Sequence, residues 1–326
     1  MSEQENAVQH PDRNLALELV RATEAAAIRA FPFIGKGDKN AADKAAVDAM
    51  RAFLGTVDFE GLVVIGEGEK DDAPMLFNGE LVGSGSGPKC DIAVDPIDGT
   101  SLTAAGRQNA LSVIAVSDRG TMLDASQIFY MNKLVTGPEG VDVCDIRKPI
   151  GENIRALAKA KNKPISELVV AVLDRPRHDD LIREIRESGA GTRLLLDGDV
   201  AASIHAASSG SRIDICVGIG GSPEGVATAC AISALGGLIQ GVLMPRDEQE
   251  AQRGVDSGLK MDYVYEAKEI VQSENTFFIA TGLTDGGLLE GVRRKGSVIR
   301  TESIVIRGRS GTIRRIVAEH QSSRWI

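Results

Sequence analysis

The chain has 326 residues, 43% hydrophobic and 25% charged, the balance of a globular protein with a real core and room for two domains or one large α/β domain. No apolar run approaches the roughly 18 residues of a membrane-spanning helix, and the polar start from Met1 to Asp12 lacks the basic and apolar stretches of a secretory leader, so a cytoplasmic chain that does not enter a membrane is expected. With 37 Lys and Arg against 46 Asp and Glu, the net charge of −9 excludes a general nucleic-acid binder but still permits an anionic substrate held by local cations or metals.

Residues 1–11 read as a disordered, solvated tail. Leu15, Leu19, Ala22 and Ala26 recur at helical spacing and predict a helix over Asn14 to Ala30. After the turn Gly35-Lys36-Gly37-Asp38, a second helix is expected with Ala42, Ala46, Ala49 and Phe53 on one face. Gly61 to Ile65 reads as a buried strand, Gly79 to Pro88 as a glycine-rich loop, and Asp91 to Val94 as a strand ending at Asp95-Pro96-Ile97-Asp98-Gly99-Thr100. Further strands are predicted over Leu111 to Val116 and Ile128 to Val135. Then the rhythm becomes regular: strands at Leu168–Leu173, Leu194–Leu196, Ile213–Ile219 and Leu238–Leu243, with helices after Pro176, Asp199 and Pro223. The end of the chain is β-rich, with strands over Ser297 to Ile306 and Thr312 to Val317. This alternation predicts an α/β layered fold. The change of rhythm divides it into a metal-binding half, 12–165, and an α/β half, 166–326, that completes a substrate site.

The unusual residues fall where strands end, which is where α/β sheets collect ligands. In CDIAVDPIDGT, Cys90 to Thr100, two carboxylates on one tight turn repel each other unless a cation lies between them; hard divalent ions want such oxygens, and a phosphate can lie against the helix start at Thr100. Taken alone, Asp95 and Asp98 read first as turn formers and Thr100 as an N-cap; the flanking strand and the other acidic clusters shift the balance to ligands. Glu67 closes the strand before it, and Asp71 or Asp72 could polarise an attacking water. Lys39 offers a cation to a phosphate, and Asp43 a carboxylate in the first helical turn. In GIGGSPEG, Gly218 to Gly225, Ser222 reads as an N-cap, Pro223 as the first helical residue, and Glu224 as a first-turn acid or a last metal ligand. The Arg175-Pro176-Arg177 forks suit phosphate oxygens, and Asp197-Gly198-Asp199 presents oxygens to sugar hydroxyls or caps a helix. The spacing of three between Asp95 and Asp98 differs from the spacing of two in haloacid-dehalogenase phosphatases and suits metal ligands better than a covalent nucleophile. Cys90, Cys144, Cys216 and Cys230 form no Cys-x-x-Cys pair and read as reduced buried thiols. Neither a dinucleotide fingerprint nor a nucleotide-binding P-loop is present.

Together these motifs resemble class II fructose-1,6-bisphosphatases, a branch of the lithium-sensitive inositol-monophosphatase/fructose-bisphosphatase superfamily. The branch is marked by GKGDKNAAD (35–43), IGEGEKDDAPML (65–76), RPRHD (175–179), DGDVAAS (197–203), GIGGSPEG (218–225) and SGTIRRI (310–316), over about residues 14 to 318. The resemblance implies an α-β-α-β-α sandwich. It implies divalent ions, Mn²⁺ first and Mg²⁺ second, held by Asp43, Glu67, Asp95, Asp98, Glu224 and the Ile97 carbonyl. Thr100, Asp71 and Lys39 become catalytic candidates, and Asp98, Gly99, Thr100, Tyr130, Arg175, Pro176, Arg177, Asp197, Gly198, Asp199 and Gly221 substrate contacts. Asp98 stands where some members carry Glu. The implied reaction is hydrolysis of the 1-phosphate of fructose 1,6-bisphosphate by metal-activated water, in gluconeogenesis, by a homodimer or homotetramer. Sedoheptulose-bisphosphatase or inositol-monophosphatase activity, and a non-catalytic sugar-phosphate sensor, are the alternatives.

Overall fold

The computed structural model describes residues 15–68 and 75–324. Asp71 and Asp72 lie outside these residues, as do the N-terminal tail and the terminal Trp325.

Two helices open the chain, α1 (Leu15–Ala30) and α2 (Lys39–Leu54), followed by β1 (Glu60–Ile65), β2 (Leu81–Val82), β3 (Lys89–Asp98), α3 (Thr100–Ala104), β4 (Leu111–Asp118) and β5 (Tyr130–Thr136). The middle holds α4 (Ile150–Ala160), β6 (Val169–Leu173), α5 (Asp179–Glu187), β7 (Gly191–Leu195), α6 (Val200–Ala207), β8 (Ile215–Gly221), α7 (Ser222–Leu235), β9 (Leu238–Met244), α8 (Glu248–Asp256), β10 (Val264–Glu266) and α9 (Ala267–Ile270). The chain ends in β11 (Phe277–Gly282), β12 (Arg293–Lys295), β13 (Val298–Arg307) and β14 (Thr312–Gln321). None of the described helices is long and apolar enough to cross a membrane.

These strands form two mixed sheets. The first has the order β12-β13-β11-β4-β3-β1-β2, with β14 along the far edge of β13. The second has the order β10-β9-β5-β8-β6-β7. The chain therefore enters the first sheet, crosses to the second for residues 130–266, and returns to the first.

Three apolar clusters set the layers. Leu19, Ile28, Met50 and Phe59 fill the space between the two N-terminal helices and the outer face of the first sheet. Val113 and Ala115 of the first sheet, Met131 and Val135 of the second, and the buried faces of α6 and α7 form the middle layer. Ile154, Leu157, Ile182 and Ile185 seal α4 and α5 against the outer face of the second sheet. The result is an α-β-α-β-α sandwich. Each fully buried Leu, Ile or Phe contributes about 1.5–3 kcal/mol of burial to it. Cys90, Cys144, Cys216 and Cys230 are all free and buried, as expected of thiols that act as small core residues.

Several local expectations shift. On α2 the buried line runs Ala42, Ala46, Met50, Leu54, while Ala49 and Phe53 sit on its half-buried shoulder. Leu81–Val82 inside the glycine-rich loop pairs antiparallel with β1. β3 runs on through Asp95 to Asp98, its register against β4 broken by a bulge between those two residues. The bulge, the extra residues of which oppose none on the partner, aims both carboxylates out of one strand where a turn was expected. Ser222 does not cap α7: Gly221 occupies the N-cap, no side chain closes it, and Ser222 is the first helical residue.

Candidate active site

Strand ends from both sheets meet across the gap between them. β1 and β3 run parallel in the first sheet, and β6, β7 and β8 run parallel in the second, so the residues after them share one rim. β5 runs antiparallel to β8 with Tyr130 opposite Gly221, so its first residue, not its last, reaches that rim. This places Tyr130 beside the other predicted contacts without any local motif.

The rim gathers carboxylates. Asp43 and Glu67 share a hydrogen bond; burial, then the charge of Asp43, that bond and the charge of Glu224, push the Glu67 carboxyl up to about 8. Burial raises Asp43 as well, against the pull of that bond. Asp95 is held well above the carboxylate range by burial and by Asp98, Glu224, Glu67 and Asp43. Asp98 is raised by burial and by Asp199, Glu224 and Asp197. Glu224 is raised by burial in spite of Lys133. The predicted metal ligands Asp43, Glu67, Asp95, Asp98 and Glu224 thus interact with one another, although they come from α2, the end of β1, the bulge of β3 and the start of α7.

The cluster is short of partners. Asp98 Oδ2, Asp199 Oδ1, Glu224 Oε2 and Ser222 Oγ are buried and make no hydrogen bond. A buried polar atom normally finds one, so carboxylate oxygens left unmet at one locus are free to accept from water or to ligate a cation. The donor chemistry, all hard oxygen, fits Mg²⁺ or Mn²⁺. Among the described residues no three His, Cys, Asp or Glu side chains are grouped closely enough to hold a metal ion as they stand.

Glycines make the room. A Cβ at Gly221 would overlap Glu224 Oε2 at 1.8 Å, one at Gly198 would meet Asp98 Oδ1 at 2.8 Å, and one at Gly220 would meet Asp199 Oδ2 at 2.4 Å. Gly99, with φ of 89°, turns the chain from the β3 bulge into α3. Thr100 then donates its hydroxyl proton to the Ile97 carbonyl at 3.2 Å, and Lys39 Nζ reaches Ser101 Oγ at 2.7 Å.

Asp197 bridges the sheets: Oδ2 accepts from the Ser101 N–H at 3.3 Å and Oδ1 from Arg175 Nη2 at 3.3 Å. Arg175 also donates Nη1 to the Asp174 and Leu196 carbonyls. Arg177 donates Nε and Nη2 to the Ile219 carbonyl and stacks over Tyr130 at 4.9 Å. The two forks expected to be open to phosphate are therefore mostly spent on the backbone, because the strand ends beside them leave carbonyls unpaired. Pro176 opens the short turn between them, which ends at His178. His178 donates Nδ1–H to Leu173 O at 2.8 Å and accepts the Ile219 N–H on Nε2 at 2.8 Å. Burial lowers the pKa of that ring.

Lys133 was not among the expected site residues. It is 3% exposed, 2.6 Å from Asp199 Oδ2, and donates to the Gly221 carbonyl at 3.2 Å. Asp199 caps α6 only by position, its side chain being taken by this pair. Burial works against the Lys133 charge, but Asp199 and Glu224 hold its pKa above the usual value. The signal in the sequence was a lone lysine inside the apolar strand YMNKLVT, since a charge so placed needs a partner.

A family model described as bacterial fructose-1,6-bisphosphatase, glpX-encoded, matches residues 13–320. Over 325 residues the chain is 46% identical to fructose-1,6-bisphosphatase 1 class 2 of Escherichia coli (strain K12), with 96% of each covered. The same identity and coverage relate it to fructose-1,6-bisphosphatase class 2 of Shigella flexneri. A solved structure, an extragenic suppressor from Pyrococcus furiosus, overlaps at a TM-score of 0.27 and 15% identity over 59% of this chain and 68% of its own, too slight a likeness to carry weight.

Proposed function

Because the chain belongs to the class II, glpX-encoded family of bacterial fructose-1,6-bisphosphatases, enzymes that hydrolyse a phosphate monoester, we propose that it releases the 1-phosphate of fructose 1,6-bisphosphate to give fructose 6-phosphate. What carries this reading is the rim of carboxylates with unmet oxygens, set beside Thr100 and Lys39, in a chain matched end to end by phosphatases. The sensor and inositol-phosphate alternatives are not favoured by those relatives. The wider kinship with lithium-sensitive phosphatases stays part of the proposal.

Asp43, Glu67, Asp95, Asp98, Glu224 and the Ile97 carbonyl would hold divalent ions, Mn²⁺ in preference to Mg²⁺. Bound there, such ions supply Lewis acidity, offsetting charge on the phosphoryl and leaving oxygens and acidifying water. The side chains do the rest. Thr100 spends its only hydrogen on Ile97, so toward substrate it can only accept, and it orients an incoming water by taking one of its hydrogens. Lys39, fixed against Ser101, brings positive charge to the phosphoryl oxygens. Asp71, the assigned acidic assistant, takes the water's proton. Tyr130 and the uncommitted Nη1 of Arg177 meet the distal phosphate, while Asp197 to Asp199 and Gly221 face the sugar. A homodimer or homotetramer is the proposed assembly.

Phosphate release from a panel of sugar phosphates with Mn²⁺, Mg²⁺ or chelator tests this. Fructose 1,6-bisphosphate should be turned over with either ion, faster with Mn²⁺, and chelator should stop it reversibly. Equal rates on inositol monophosphate, or turnover undiminished by chelator, would overturn the reading; equal rates on sedoheptulose 1,7-bisphosphate would widen the substrate class.

A further inference from the structure

A second cavity of about 1060 Å³ opens beside the carboxylate rim, between the loop that precedes β4 and the edge strand β7, with α6 as its floor. It is the size of a small-molecule site. Its charge is opposite to that of the rim. Arg107, Arg193 and Arg212 line it from three separate segments, and none has an ion pair or side-chain hydrogen bond within the described residues. Elsewhere in this chain, arginines such as Arg51, Arg119, Arg175 and Arg246 are matched to carboxylates. The one acid lining the cavity, Asp197, is already bonded to Arg175 and to the Ser101 N–H. Three unmatched guanidiniums around one cavity, in a chain of net charge −9, form a local positive field that the protein leaves uncompensated.

The remaining wall is mixed. Leu194, Leu196 and Ile213 present an apolar surface, with Leu196 45% exposed, while Asn109 and Ser211 add an amide and a hydroxyl. His205 sits on the floor with Nδ1 3.3 Å from Ser211 Oγ. Its basicity is lowered by burial and then by Arg315 and Arg193, which face it.

From this geometry we infer that the cavity is a second ligand site, for a small phosphorylated molecule whose phosphate is gripped by Arg107, Arg193 and Arg212 and whose less polar body lies on Leu194, Leu196 and Ile213. Guanidinium forks match phosphate oxygens in shape and charge. The site is distinct from the proposed 1-phosphate and distal-phosphate contacts but shares one segment with them. Leu196, Asp197 and Gly198 line the cavity. From the same three residues, the Leu196 carbonyl holds Arg175, the Asp197 carboxylate holds Ser101, and Gly198 backs the Asp98 carboxylate. Occupation is therefore coupled to turnover, and the coupling is reciprocal.

The site rests on chemistry separate from the proposed reaction, and two histidines allow them to be read apart. His205 lies in the cavity, while His178 is bonded behind the active-site rim at Ile219. The probe is phenylphosphonate, a dianion with an apolar ring that a phosphatase cannot hydrolyse, titrated into the enzyme loaded with diamagnetic Mg²⁺ and followed by the ring-proton NMR signals of the histidines. The His205 signal should move saturably, with its pKa raised by the added anion. In Arg193→Ala and Arg107→Ala/Arg212→Ala, each checked for unchanged melting temperature and basal kcat/KM, the apparent Kd should weaken tenfold or more. In the parent enzyme alone, turnover of fructose 1,6-bisphosphate should change at the concentrations that saturate His205. No movement of His205, movement of His178 only, or an unchanged Kd in the arginine variants would overturn the site. Binding without any kinetic change would overturn the coupling. If Arg193→Glu dissociates an oligomer and His205 ignores the probe, the face belongs to a second copy of the chain and the ligand site falls.

Discussion

Two regions of this molecule bury polar groups, and they do so in opposite ways. Beneath α1, Thr23, Thr281 and Ser303 form a chain of hydroxyls at 2.7 and 2.8 Å, and Thr301 joins Glu24 at 3.2 Å and the His320 ring at 2.9 Å. None of these side chains has a buried atom left without a hydrogen bond. At the rim between the sheets, Asp98, Asp199, Glu224 and Ser222 each leave a buried atom unmet, and like charges crowd together. The first seam closes on itself apart from the Ser112 hydroxyl, which faces Thr281 across the strands and stays unmet, and it belongs to the fold. The second crowds acidic groups that repel one another, the kind of local conflict that proteins keep where a proposed function needs it.

The largest effect that would sharpen this contrast is at Asp95. Asp95→Asn should lower turnover about a thousandfold or more if Asp95 is a ligand as proposed, since the ions would be asked for several kcal/mol of transition-state stabilisation. The chelator-treated variant should melt no lower than the parent, because one of five mutually repelling carboxylates is gone. Added Mn²⁺ should raise its melting temperature less than it raises the parent's. Steady-state kinetics with and without chelator and a thermal melt check all three. Turnover kept at the parental level under limiting Mn²⁺ would remove Asp95 from the site.

Much of this contrast was legible in the residues alone. Acidic residues after successive strands announced the rim, because a strand's period of two and its abrupt end at Gly or Pro can be read locally. The layers followed from strand–helix alternation. What escaped was set by pairing between distant segments. α4 has no strand before it in the expected rhythm, and β11 and β12 owe their state to pairing with β13. Lys133 meets Asp199 only because β5 lies antiparallel against β8. The arginines drawn as open phosphate hooks turned inward because strand ends presented carbonyls to them, which no one-dimensional pattern records. Asp71, named from the sequence, lies outside the described residues and keeps the role only as a proposal.

Next in size is the pair that joins rim to core. Lys133→Met leaves Asp199 buried without its cation, a loss worth about 3–5 kcal/mol when one member of a buried pair is removed. Denaturant melts should show this as a fall in midpoint. Adding Asp199→Asn should recover most of it, since the double variant buries no unpaired charge. A double-mutant cycle measures the coupling. Recovery of stability without recovery of kcat would show that Lys133 also positions the Gly221 carbonyl and Glu224 for turnover, whereas additive losses would mean that the pair is not one unit.

The smallest effect belongs to the self-contained seam, and its sign follows from protonation. Burial pushes the Glu24 carboxyl up to about 7 from 4.5, against the pull of the Thr301 hydrogen bond and of Arg21. Below about pH 4.5 the folded and unfolded chains both hold this proton, and it makes no difference to stability. Between 4.5 and 7 the unfolded chain loses it first, so stability falls as pH rises, and above 7 the loss is constant, at most about 3 kcal/mol. Glu24→Gln keeps an oxygen for Thr301 and removes the titration. The variant should match the parent near pH 4.5, gain on it up to about pH 7 and hold that margin at pH 8, as read from urea melts across that range. His320, whose own pKa burial lowers, gives stability in the opposite direction as pH rises toward 6.5, but it does so in both proteins and drops out of their difference. The opposite outcome, a variant weakest near neutrality, would mean that Glu24 and His320, 3.9 Å apart, stand as a charged pair. The seam would then share the rim's dependence on buried charge, and the contrast between the two regions would fail at its simpler end.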